Sequence, residues 1–321
     1  MRKRLLRILP WVVTVGLLAI VFSRISFHDV VAGARSAAPW MVPVTLACVA
    51  AVYIADSFAI WKTFGWFLTP ISFPDVLLVR GATYLLAAIN YNVGQGAIVY
   101  FMHRNAGTTI MRGVATILLV LGTNVLALLF LATAGLTIAP VVPFAVKVLV
   151  AIAWGGLAVY VVLVALRPRW LDRPAFEVLL NAGLGGHLRA LAVRVPHIAS
   201  LVVFQFTLLH AFGVQVPLVD ALATLPVVFL VAVLPISVQG LGTTQATMAF
   251  FFARYAPGAD LKAQIATVVA ASIVGQAIAS AFQAGLGVLC LRSRVGRALR
   301  ASTKEPGPPD PGAPPPPAPA T

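Results

Sequence analysis

Six stretches of this chain, roughly 9–27, 40–62, 112–135, 141–166, 197–216 and 262–291, are almost purely apolar. Each runs about 18 residues or more, enough helix at about 1.5 Å per residue to cross roughly 30 Å of hydrocarbon. A water-soluble core cannot bury so many such segments. In lipid, only helices and closed barrels satisfy every backbone N–H and C=O. Composition agrees: 60% of residues are hydrophobic and 10% charged, against about 25% charged in soluble domains. The sequence predicts an all-α polytopic membrane protein and excludes a soluble enzyme.

Met1-Arg2-Lys3-Arg4 before the first stretch resembles the start of a signal peptide, but the nearest small-residue site, Ala32-Gly33-Ala34, lies well past the apolar core. An uncleaved first span is the better reading. The integral membrane domain is expected over 1–300, and the proline-rich segment 301–321 is expected to be a disordered cytoplasmic tail.

Two further apolar stretches do not fit a single crossing. One reads as helix from Asp75 to Val93, breaks at Asn92-Val93-Gly94-Gln95-Gly96, and resumes as a short arm before His103-Arg104. The other reads as helix from Pro217 to Leu234, breaks over Pro235-Ile236-Ser237-Val238-Gln239-Gly240-Leu241-Gly242, and continues to Arg254. Arms this short predict two broken re-entrant hairpins, over 75–105 and 217–255, whose irregular backbone faces protein or water. Asp75, Leu77, Leu85, Ala87 and Val93 match Asp220, Leu222, Leu230, Ala232 and Val238 at one constant offset. An inverted repeat and a chance likeness of apolar sequence both account for this.

Lys and Arg number 23 against 9 Asp and Glu. In a membrane protein that excess fits basic cytoplasmic loops and anionic lipid headgroups, with no nucleic-acid partner. Six crossings and two hairpins put most basic residues, Arg80, Arg104, Arg112, Arg189 and Arg194 among them, on the side of both termini, which the positive-inside rule assigns to the cytoplasm. Residues 167–195 mix arginines with Trp170, Leu179 and Leu188, as an interfacial amphipathic segment or a basic loop would.

Catalytic signatures are missing from the sequence: there is no HExxH, GxSxG or Walker loop, and no close acidic pair. Cys48 and Cys290 have no metal-ligand spacing. No catalytic residue, metal site or cofactor is expected. Polar residues at membrane depth carry more information. Asn90, Asn92 and Gln95 cluster at the first break, and Ser237, Gln239 and Gln245 at the second. Buried amides need partners, which could be a ligand or the open backbone groups of the broken helices. Gly94, Gly96, Gly240 and Gly242 permit positive φ and close approach. Arg104 and Arg112, at the exit of the first hairpin, could meet a lipid phosphate or serve as ordinary cytoplasmic charges. On the last span Ser272, Gln276, Ser280 and Gln283 form one stripe, expected to face the protein interior.

Asn90-Tyr91-Asn92-Val93-Gly94-Gln95 resembles the first signature of the lysylphosphatidylglycerol synthase transmembrane-domain, or flippase-like, family. Leu234-Pro235-Ile236-Ser237-Val238-Gln239-Gly240-Leu241-Gly242-Thr243-Thr244-Gln245 is similar to its second. The resemblance implies a bacterial inner-membrane protein that moves, or helps to move, a polar lipid between leaflets. Relatives are linked to aminoacylated phospholipids, hopanoids or polyprenyl-linked sugars. The chain departs from the pattern at Gln95 and Gln245, where relatives usually carry Glu, and near Ile98, where they carry Arg. The amides keep hydrogen bonding and remove titration, so proton coupling does not carry over.

The expected function is therefore a lipid flippase or lipid-transport protein for a phospholipid. Asn90, Asn92, Gln95, Ser237, Gln239 and Gln245 would hold the headgroup at the Gly240–Gly242 turn, and Arg104 and Arg112 would draw its phosphate. Membrane lipids are the expected partners, with a lipid-synthesis enzyme as a further one. The alternatives are a noncatalytic scaffold for such enzymes, or an intramembrane transferase using Asp56, Asp75, Asp220 or His210 as acid or base.

Overall fold

The computed structural model describes residues 38–89, 91–138, 144–233 and 240–293, with Val31 and Arg35. Among these residues every regular element is helical: α1 (Met41–Phe67), α2 (Phe73–Ile89), α3 (Tyr91–Ala106), α4 (Ile110–Ile138), α5 (Phe144–Leu166), α6 (Glu177–Ala211), α7 (Leu218–Val233), α8 (Thr243–Phe252) and α9 (Leu261–Arg292), with single 3-10 turns at Arg169–Leu171 and Ala253–Tyr255. Helices α1, α4, α5, α6 and α9 are long and apolar enough to cross a membrane. They match five of the six expected crossings, and the first, 9–27, lies outside the described residues, as does the tail. These are the helices of a multi-pass membrane protein.

Helices α1 and α6 run antiparallel along their length. The Ala38 N–H, just before α1, donates to the carbonyl of Ala211 at the end of α6, 2.9 Å away. Deeper in, His197 Nδ1 lies 3.4 Å from the Val52 carbonyl and Arg194 reaches Asp56. Around this pair α2 packs on α9 and α3 on α4, while α7 packs on α4 and α8 on α9. One apolar core surrounds α2 and α3, with Phe64, Val79, Met102 and Ile117. A larger one surrounds α7 and α8, with Leu128, Leu208, Leu225 and Phe252.

Three expectations need correction. Helix α2 ends at Ile89 and α3 begins at Tyr91, so the Asn92–Gly96 run forms the first turns of α3, which spans 16 residues. Glycine inside a helix costs only about 1 kcal/mol, far less than leaving backbone groups unsatisfied away from water, so Gly94 and Gly96 stay helical. Residues 167–195 are not a loop: after one 3-10 turn and a short connection they enter the 35-residue α6, kinked where Gly183 takes φ 55° and ψ −175°. The polar stripe of α9 faces inward only at one end, since Ser272 is buried, Gln276 and Gln283 are half-buried, and Ser280 is exposed. At 3.6 residues per turn Ser280 is rotated about 80° from Ser272, which carries it out of the interior.

Candidate functional site

The second break lies between α7 and α8. Residues 234–239, and with them Ser237 and Gln239, fall outside the described residues. Beyond them Gly240 and Gly242 adopt φ 74° and 83°, the left-handed conformations for which glycine was expected. Gln245, in the first turn of α8, is fully buried. Its Oε1 accepts from the Gly242 N–H at 2.7 Å, and its Nε2 donates to Ser272 Oγ on α9 at 3.2 Å. Thr243 Oγ1 donates to the Gly240 carbonyl at 2.9 Å. Gln245 thus satisfies one of the donors left open at the start of α8 and pins the turn to α9.

At the first break Asn90 lies outside the described residues and the side chain of Asn92 is likewise not described. Gly94 and Gln95 are buried and Gly96 is exposed. Arg104 is exposed near the end of α3. Arg112, at the start of α4, holds Nε 3.6 Å from Glu177 Oε1, both side chains 42% exposed, a geometry that contributes little to stability.

The structure also assembles a charged cluster that sequence reading left apart. Asp56 on α1 accepts from Arg80 Nε of α2 at 2.7 Å and from Arg194 Nη1 of α6 at 2.5 Å. Asp56 and Arg194 are both buried, Arg194 only 2% exposed. Arg194 Nε is buried without a hydrogen-bond partner. Arg80 also lies over the Tyr84 ring, 5.0 Å from its centroid. The cluster sits roughly 16 Å from the Phe67 end of α1 and roughly 22 Å from its Met41 end, so it is well inside the span. Arg80 and Arg194 are therefore not the loop charges that the sidedness argument took them for. The available signal was Asp56 itself, since a lone acid within a span requires a counter-charge.

Between α4 and α5 lies a groove of about 530 Å³, lined by apolar side chains from Leu118 to Leu129 and from Ala153 to Leu157. Trp154 Nε1 donates to Thr133 Oγ1 at 2.8 Å beyond one end. At the other end Tyr160 OH lies 2.5 Å from His187 Nε2, and His187 Nδ1 lies 2.6 Å from the Gly183 carbonyl. A carbonyl only accepts, so Nδ1 carries a proton and donates to it. The Gly183 kink presents that carbonyl. Nothing in the sequence pattern singled out this groove.

The four acid–base candidates all have internal partners. Asp56 is held as described. Asp75 Oδ2 accepts from Ser72 Oγ at 2.6 Å ahead of α2. Asp220 Oδ2 accepts from Tyr255 OH at 2.5 Å, and His210 Nδ1 lies 3.0 Å from the Phe206 carbonyl one turn back. Among the described residues no group of three or more His, Cys, Asp or Glu could hold a metal ion. Comparison with models of known protein families finds no match, and comparison with curated proteins finds none either.

Proposed function

We propose that the protein binds phosphate-bearing polar lipids and carries them between the leaflets of a bacterial inner membrane, with both termini cytoplasmic and no chemistry performed on the lipid. The observation that carries this reading is the Asp56–Arg80–Arg194 cluster. Ionised side chains are costly at membrane depth and are kept where a substrate path needs them, and guanidinium is the side chain best matched to a phosphate. The cluster ties α2, the first arm of the first broken hairpin, to the α1–α6 pair. A lipid phosphate that competes with Asp56 for these guanidiniums loosens that tie and lets the hairpin open.

The two hairpins are read as re-entrant arms of an inverted repeat in which α1–α4 correspond to α6–α9. The exchange of packing partners supports this: α2 rests on α9 as α7 rests on α4, and α3 on α4 as α8 on α9. Opposed broken hairpins of this kind frame a site near the membrane midplane. Asn90, Asn92, Gln95, Ser237 and Gln239 offer hydrogen bonds to the headgroup there. Gly240, Gly242 and Gln245 hold the turn at the start of α8, and Arg104 and Arg112 draw the phosphate in.

The test is transport of fluorescent phosphatidylglycerol, phosphatidylethanolamine and phosphatidylcholine in reconstituted vesicles. Arg194→Gln keeps the Asp56–Arg80 pair and should slow transport of the anionic lipid about tenfold or more. If the wild type leaves all three lipids on their original leaflet, the reading is lost.

A further inference from the structure

The α4–α5 groove combines three properties that apolar surface facing lipid does not ordinarily share. It is one leaflet deep: from Leu118 to Leu129 it runs roughly 16 Å along α4, against about 15 Å for half the hydrocarbon thickness. It is widened by glycine, since a Cβ added at Gly122 or Gly156 would meet nothing within 4 Å. It also changes chemistry at one end, where Leu179 and the Tyr160–His187 pair close its wall.

Two guanidiniums flank that end. Arg112 stands two turns before Leu119 on the same face of α4, and its ion-pair partner Glu177 lies close in sequence to Leu179. Arg167 stands two turns beyond Tyr160, and its Nη2 donates to the Leu180 carbonyl at 2.7 Å. Arg167 is also the one non-glycine residue with positive φ (45°) among the described residues, a conformation that the surrounding structure must hold. Positive charge at the mouth and a dry slot above it complement a single amphiphile with a negative head.

We propose that this groove binds one acyl chain of an anionic glycerophospholipid, with the phosphate between Arg112 and Arg167. The proposal rests on the lipid-handling function above and names a further place, apart from the two breaks, where a lipid is held. Binding can be read apart from transport, so the two can fail separately.

The experiment is native mass spectrometry of the full-length, detergent-purified protein with added dioleoyl phosphatidylglycerol or dioleoyl phosphatidylcholine. The wild type should retain one phosphatidylglycerol per chain and hold it about tenfold more tightly than phosphatidylcholine. Gly122→Phe and Gly156→Phe should abolish this binding at a nearly unchanged melting temperature, because each ring enters open space. Should either fail to fold, Gly156→Leu carries the same test. Arg112→Gln with Arg167→Gln should weaken retention of both lipids, which share the phosphate, and should remove the preference for phosphatidylglycerol, whose head lacks the positive charge of choline. Equal retention of the two lipids by the wild type overturns the proposal, and so does a folded glycine variant that keeps phosphatidylglycerol. Specific binding by a wild type that moves no lipid supports the groove and removes only the transport reading.

Discussion

Asp56 Oδ1 and Arg194 Nη1 meet at 2.5 Å although the two residues lie 138 positions apart. Their pairing joins the antiparallel helices α1 and α6 well inside the span, and Arg80 completes the cluster from α2. Apolar helices gain no hydrophobic drive from packing together in lipid. A contact of this kind therefore sets their register more strictly than the leucines around it do.

Asp56→Asn leaves the buried Arg194 and the half-buried Arg80 without their carboxylate. Breaking a buried ion pair from one side costs on the order of 3–5 kcal/mol, so this variant should melt well below the wild type in detergent. Arg194→Gln, which keeps one guanidinium on Asp56, should lose much less. Equal melting temperatures for Asp56→Asn and the wild type would remove the cluster from any account of stability.

Gln245 is enclosed and bonded at both ends of its amide. Gln245→Ala strands the Gly242 N–H and the Ser272 hydroxyl, a loss of about 1–3 kcal/mol by the usual cost of unsatisfied buried groups. Gln245→Glu, protonated in this enclosed site, keeps an acceptor for Gly242 and an O–H donor for Ser272 and should be milder. Thermal melts of the two variants side by side decide whether the residue serves the turn, as its partners here imply. An Ala variant as stable as the wild type would return Gln245 to the headgroup.

What hydropathy could reveal of this fold is its layout, because the cost of exposed backbone in lipid leaves long apolar runs one option. The first half of α6 was hidden because Arg189 and Arg194 read as charges of a basic segment, and only the distant Asp56 shows that Arg194 belongs inside. Gly94 and Gly96 read as a break because propensity was weighed without the membrane, where an open backbone costs more than a helical glycine. The turn glycines Gly240 and Gly242 were legible, since a short arm after an apolar helix demands a tight reversal. The groove was not: Gly122 and Gly156 lie on different helices, and nothing local says which face of either is left uncovered.

Tyr255 closes the 3-10 turn that follows α8, with its hydroxyl on Asp220 and Arg254 over its ring. Burial, helped by the bond to the Asp220 carboxylate, pushes its phenol above the usual value. A folded-state pKa above the unfolded one means stability that is whole below about pH 10 and is lost as pH rises through the folded value. Tyr255→Phe should flatten the melting temperature between about pH 9 and 11, where the wild type declines. A wild-type curve already flat there would show that the bond contributes nothing.

Gly135 on α4 faces the backbone of α7 so closely that a Cβ there would fall 1.9 Å from the Ala223 carbonyl oxygen. Gly275 on α9 is also crowded, but its neighbour is the tip of Leu208, 2.2 Å from the same added atom. A side-chain tip can rotate aside; a helix carbonyl cannot without moving α7. Gly135→Ala should therefore cost on the order of 1–3 kcal/mol or more of overpacking, and Gly275→Ala clearly less. Because α7 leads toward the Gly240–Gly242 turn, the displaced helix should also misplace that turn and depress the proposed lipid transport beyond what the loss of stability explains. Melting temperature and transport rate measured on both variants give the comparison. If Gly135→Ala melts with the wild type, α4 and α7 are not packed as tightly as this contact requires.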